Sequence, residues 1–83
     1  LNVGCIPTKT LISNAHVLHS IQHAAEFGIH VGSVSIDYAK MKERKDVVIA
    51  KIRKSLEGLI QSNGIEILRG HASFVAPFEL KVK

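Results

Sequence analysis

From Pro7 to about Phe27 the apolar residues recur at three- and four-residue steps, the spacing of one face of an α-helix. Leu11, Ala15, Leu18 and Gln22 trace that face, and Ile12, Ile21 and Ala25 widen it into a broad stripe. Pro7 suits the first helical position, where a missing N–H loses nothing, and Gly28 supplies the stop. Gly28 to Ser35 reads as a surface turn with a brief extended piece. Asp37 is an N-cap candidate for a second helix over 38–62, which Asn63-Gly64 ends. Tyr38, Met41, Val48, Ile52, Leu56 and Leu59 carry the second apolar series, and Lys45 interrupts it. Beyond Gly64 the pattern shortens: Ile65, Ile67 and Leu68 predict a strand over 65–69. Two more follow over 72–75 and 79–82, around a turn at Ala76-Pro77.

The expected architecture is therefore α/β in class and α+β as it stands, two long helices followed by short antiparallel strands. Such a set cannot bury both faces of its helices by itself, because a broad apolar helix needs a sheet or another helix on each flank. In isolation the chain is expected to dimerise, swap elements or stay partly molten. Its 83 residues lie near the size, about 80, below which one core needs staples or partners. Neither staple is offered: one cysteine forms no internal disulfide, and no metal-type cysteine spacing occurs. The chain opens on Leu1 and closes on Leu80-Lys81-Val82-Lys83 within a strand pattern, so both ends read as cut.

Charge changes the picture little. The formal net charge is +4. Lys40, Lys42, Arg44, Lys45, Lys51, Arg53 and Lys54 spread around the second helix with Glu43, Asp46 and Glu57 among them, the pattern of a solvated face. The aromatics Phe27, Tyr38, Phe74 and Phe78 are not interleaved with these cations as base stacking requires, so no nucleic-acid partner is expected. No apolar run approaches the roughly 18 residues of a membrane span, so no membrane partner is expected either. Single-cysteine usage fits a reducing compartment, which favours the cytoplasm.

The candidate chemistry begins at Cys5, in the run Leu1-Asn2-Val3-Gly4-Cys5-Ile6-Pro7-Thr8-Lys9. It lies at the mouth of a helix, where unpaired N–H groups and the positive helix pole favour an anion. Lys9 stands one turn further on. Such surroundings lower the pKa of a thiol and make it the reactive thiolate. The competing reading is a small buried apolar residue, inert like most free cysteines.

The same run resembles the redox-disulfide motif of the flavin-dependent pyridine nucleotide–disulfide oxidoreductases. In that motif two cysteines flank a four-residue spacer, followed by an apolar residue, proline, a variable residue and lysine. Leu1 to Gly4 match the spacer, Cys5 the second cysteine, Pro7 the proline and Lys9 the lysine. The first cysteine would immediately precede Leu1. Leu1, Ile6 and Thr8 are most similar to the dihydrolipoamide dehydrogenase branch, whereas glutathione, trypanothione and mercuric reductases more often carry valine at the first of these positions. The resemblance continues more softly through the helices and Gly64-Ile65-Glu66-Ile67-Leu68-Arg69-Gly70.

The resemblance implies that residues 1–83 are an internal fragment of a Rossmann-like FAD-binding domain. The whole enzyme would be a homodimer using FAD and NAD, with a lipoyl-bearing protein of a 2-oxoacid dehydrogenase complex as partner. Cys5 would be the flavin-side redox thiol and Lys9 would sit near the reactive edge of the flavin. Asn2, Gly4 and Thr8 would shape the loop or touch the cofactor, and Ala72 would meet the adenine half of FAD through its backbone. The dinucleotide fingerprint Gly-x-Gly-x-x-Gly is absent from these residues, and the family's general base lies in a region outside them. The fragment alone is expected to be inactive.

His16, His19 and His23 share one helical face at steps of three and four, as metal ligands can. No cysteine or carboxylate completes the set apart from Glu26, so the pattern reads as a solvated polar face and no metal site is expected. Two other function classes stay open on residues alone: a basic helical interaction module, resting on the second helix's charge, and a single-cysteine thiol enzyme, resting on Cys5.

Overall fold

A computed structural model describes residues 1–83. Helix α1 spans Cys5–Gln22 and runs on through a 3₁₀ turn, Ala24–Phe27. Helix α2 spans Tyr38–Ser62, and a hairpin of strands β1 (Ala72–Ala76) and β2 (Glu79–Val82) follows. The α+β order expected from the pattern is what forms.

Strand β1 runs one residue further than expected, to Ala76, which puts the turn at Pro77-Phe78, and two larger differences have local reasons. Helix α1 starts at Cys5 rather than Pro7, so Gly4 is the N-cap and Pro7 stands in the third helical position. Proline is tolerated there because the first-turn N–H groups have no intrahelical acceptor. At the other end the helix tightens into 3₁₀ geometry before Gly28 turns left-handed at φ 75°. The second difference is residues 65–69, which form no strand. No neighbouring strand pairs with them, and an unpaired strand does not satisfy its own backbone.

Helix α2 has the bounds expected for it. The Asp37 carboxylate accepts from the Lys40 amide at 3.1 Å, closing the first turn. At the far end the Gly64 amide donates to the Gln61 carbonyl and the Ile65 amide to the Ile60 carbonyl. This Schellman arrangement needs a left-handed residue, and Gly64 supplies it at φ 74°.

The helices pack antiparallel. Ile6 and Thr10 line one cleft with Val48 and Ile52, while Asn14 lines another with Met41 and Val47. On α2 the half-buried stripe is Met41, Lys45, Val48 and Ile52. Lys45, which interrupts the apolar series in sequence, thus belongs to the inward stripe, its aliphatic stem covered and its amine paired with Asp46 at 2.6 Å. Leu56 and Leu59 point to solvent instead. The inward stripe of α1 takes in Thr10 and Asn14 beside Leu11, Leu18 and Ile21, while Ile12, Ala15 and Gln22 are exposed.

In the hairpin Ala72 pairs with Val82, Ser73 with Lys81 and Phe74 with Leu80, and Val75 is the extra residue of a bulge before Ala76 pairs with Glu79. The His71 amide and carbonyl bond to those of Lys83, adding one rung. Direct partners share a face, so Ala72, Phe74, Leu80 and Val82 form one apolar surface. The hairpin packs on neither helix. Its tie to the rest is the ion pair of Arg69 with Glu57 at 2.9 Å, which holds the connecting segment to α2.

Only Ala24 and Thr10 are buried, and the molecule measures 64 × 25 × 21 Å. Its radius of gyration is 20.4 Å. A compact chain of this length would have about 12 Å. The exposed surface is 7210 Å². A compact protein of this mass exposes about 4,900 Å², so a surplus of roughly 2,300 Å² is left open. The fold is two helices and a hairpin without a closed core, as the leftover apolar faces in the sequence anticipated.

Candidate active site

Cys5 is the first residue of α1, exposed and free. The helix has no side-chain cap, so the first-turn amides of Gly4, Cys5 and Ile6 face outward without a protein acceptor from a capping side chain. Thr8 Oγ1 donates to the Gly4 carbonyl at 3.3 Å, fixing the backbone that enters the helix just before the thiol. Thr10 Oγ1 makes the same kind of bond to the Ile6 carbonyl at 2.9 Å, which satisfies the one buried hydroxyl. Lys9 is exposed one turn after Cys5 and lines a cleft with Ile6, Thr10, Ser13, Arg44, Val48 and Ile52. Asn2, Val3 and Gly4 are exposed ahead of the helix, and a Cβ on Gly4 would meet nothing within 4 Å.

The structure therefore gathers Asn2, Gly4, Cys5, Thr8 and Lys9 at one end of α1. Ala72 opens β1 in the hairpin, which touches neither helix, so it is not brought to the thiol. The thiol is exposed, whereas the competing reading has it packed as a small apolar residue. No three-member group of histidine, cysteine or carboxylate side chains able to hold a metal forms. No helix is long and apolar enough to cross a membrane.

An exposed thiol at the helix start and a lysine on the next turn are the features that the structure brings together. The chain is 52% identical over 82 residues to dihydrolipoyl dehydrogenase of Chlamydia pneumoniae, covering 99% of this chain and 18% of that protein.

The chain matches one segment of dihydrolipoyl dehydrogenase.

Dihydrolipoyl dehydrogenase of Bacillus subtilis is 40% identical over 85 residues, covering 100% of this chain and 19% of that protein. Leghemoglobin reductase of Vigna unguiculata is 40% identical over 83 residues, covering 99% of this chain and 16% of that protein. The chain thus spans less than a fifth of the length of these relatives. No protein-family model matches it.

Sequence reasoning missed one contact between the helices. Arg44, read only as part of a solvated basic face, reaches across to α1 and donates to Asn14 Oδ1 at 3.2 Å. Spacing along one helix carries no signal for a bond to another.

Proposed function

We propose that this chain is the redox-thiol segment of the FAD-binding part of a dihydrolipoamide dehydrogenase. The observation that carries the reading is the identity to dihydrolipoyl dehydrogenases along the whole chain, joined to an exposed thiol on the first turn of α1. The complete enzyme would oxidise a dihydrolipoyl group to its disulfide and reduce NAD, two electrons passing through an active-site disulfide and FAD. FAD, when bound, supplies the electron relay between the thiols and NAD.

The residues present fit a flavin at the start of α1. The uncapped amides offer hydrogen bonds to its polar edge, and Gly4 presents no side chain to obstruct an approach. Lys9 would add a positive charge beside it, Thr8 holds the entering loop through its bond to the Gly4 carbonyl, and Asn2 would touch the cofactor. Ala72, far from the thiol, would meet the other end of the same extended dinucleotide with its backbone. Cys5 would pair with the first cysteine of the motif, which the resemblance puts immediately before Leu1. When a substrate thiolate attacks the sulfur of that first cysteine, the disulfide bond breaks and Cys5 leaves as the thiolate carrying the bonding electron pair. A good leaving thiolate speeds this exchange, and a helix N-terminus stabilises one. A second dihydrolipoyl thiolate then displaces the first cysteine, and the lipoyl disulfide is released.

The partners in this reading are a lipoyl-bearing protein of a 2-oxoacid dehydrogenase complex and a second copy of the whole enzyme, in the cytoplasm. The 83-residue chain alone gives no turnover of dihydrolipoamide with NAD, because the motif's first cysteine and the nicotinamide site lie outside it. In the complete enzyme Cys5→Ser abolishes turnover while FAD stays bound. A variant that keeps its activity, or one that loses its flavin, would show that the role given to Cys5 is wrong.

A further inference from the structure

The end of α2 carries the chain's single Asn-Gly pair, Asn63-Gly64, which the redox reading does not use. Asparagine before glycine can modify itself. The glycine nitrogen attacks the side-chain carbonyl carbon Cγ and ammonia leaves, closing a five-membered succinimide that water opens to aspartate or isoaspartate. Glycine favours the attack because no Cβ shields its nitrogen. Asn2 and Asn14 are followed by Val3 and Ala15, which carry one. Asn63 and Gly64 are both exposed, so water reaches the pair.

The structure engages the reacting groups of this pair in the cap of α2. The Gly64 amide donates to the Gln61 carbonyl at 3.0 Å. Asn63 Nδ2, the leaving nitrogen, donates to the Leu59 carbonyl at 2.8 Å. Asn63 itself has ψ 10°. At that angle the Gly64 nitrogen nearly eclipses the Asn63 nitrogen and Cβ lies off to one side. Closing the ring needs the Gly64 nitrogen eclipsed with Cβ instead. Turning ψ that far swings the following chain away from the helix end. It breaks the bond from Gly64 to Gln61 and the one from Ile65 to Ile60, the two that define the cap.

We propose that Asn63-Gly64 is a deamidation site gated by the α2 cap, silent while the cap is closed and reactive when that last turn opens. Water is the only co-reactant, and nothing is oxidised or reduced. The Gly64 nitrogen bonds to Asn63 Cγ and gives up its proton, and Nδ2 departs as ammonia. Water then breaks one of the two bonds from the ring nitrogen to carbon. Breaking the bond to Cγ leaves aspartate, and breaking the bond to the backbone carbonyl carbon leaves isoaspartate. Either product loosens the cap. Aspartate offers the Leu59 carbonyl no donor and adds a negative charge at the negative pole of the helix. Isoaspartate lengthens the main chain by a methylene, so the Gly64 and Ile65 amides lose their acceptors. The reaction thus removes the gate that held it back, and it is independent of the thiol chemistry at Cys5.

The test incubates the complete enzyme at mildly alkaline pH, native and unfolded in guanidinium chloride. Peptide mass spectrometry follows conversion of amide to acid at Asn63, and enzymatic methylation identifies isoaspartate. Conversion should run at least about tenfold faster in the unfolded enzyme, the factor that about 1.4 kcal/mol of cap-opening free energy gives. Ile65→Pro keeps the Asn-Gly pair but removes the amide that donates to Ile60. In the native enzyme with its flavin bound, that variant should convert severalfold faster than the parent, with the unfolded rate unchanged. Equal rates with and without denaturant, no conversion in the unfolded enzyme, or an Ile65→Pro enzyme that keeps its flavin and converts no faster than the parent overturns the proposal. The comparison of native with unfolded enzyme needs no variant, so it decides even where Ile65→Pro fails to fold.

Discussion

Arg44 Nη1 donates to Asn14 Oδ1 at 3.2 Å, and this is the one side-chain hydrogen bond that joins α1 to α2. It aligns the half of each helix that packs. The amide nitrogen of Asn14 is buried beside it without a partner. Removing Arg44 therefore leaves the whole Asn14 amide unsatisfied between the helices. Arg44→Ala should cost the complete enzyme about 1 kcal/mol of stability, the size of a lost hydrogen bond. Denaturant melts of the single and double variants check it: once Asn14 is already alanine, Arg44→Ala should cost much less. Additive losses would show that the bond contributes nothing.

The cap on α2 gives a second expectation. Asp37 accepts from the Lys40 amide, so Asp37→Ala should cost about 1 kcal/mol, whereas Asp37→Asn keeps the acceptor and most of the stability. Hydrogen exchange at the amides of the first α2 turn reads this locally. Equal protection in the two variants would mean that the cap is idle.

Gly70 is the position least open to substitution. Its φ is 151°, and a Cβ there would lie 2.2 Å from the Lys83 carbonyl oxygen and 2.8 Å from Val82 Cγ1. Both obstacles belong to the end of β2, and the carbonyl is backbone that cannot step aside. Gly70→Ala should break the His71–Lys83 rung and cost upward of about 1–3 kcal/mol in the complete enzyme. Fast exchange of the His71 and Lys83 amides, with the helices still protected, is the expected signature.

The open surface yields a prediction about the chain by itself. A surplus of roughly 2,300 Å² exceeds what a standard protein–protein interface buries. Phe74, Leu80 and Val82 on the hairpin and Leu56 and Leu59 on α2 are part of it. The isolated chain should self-associate or bind a hydrophobic dye, and melt broadly. Size-exclusion chromatography with light scattering and a thermal scan decide the matter. A monomer of 9.1 kDa with a sharp melt and no dye binding would contradict it.

How much was legible in the sequence follows the range of the forces involved. The span of α2, its Asp37 cap, the stops at Gly28 and Gly64, and the strands after Ala72 and Glu79 rest on contacts within a few residues, so periodicity and cap chemistry reveal them. The gathering of Leu1 to Lys9 at the start of α1 was legible for the same reason, since its residues sit within two helical turns. The tertiary structure alone decided that α1 begins at Cys5 and that Thr10, Asn14 and Lys45 turn inward. Those choices depend on which flank of each helix meets the other, and residues thirty apart carry no period that reports it. It also decided that 65–69 stays unpaired, because a strand exists only where a neighbour supplies its hydrogen bonds. Local chemistry wrote the elements; only packing could say which apolar faces would be left open.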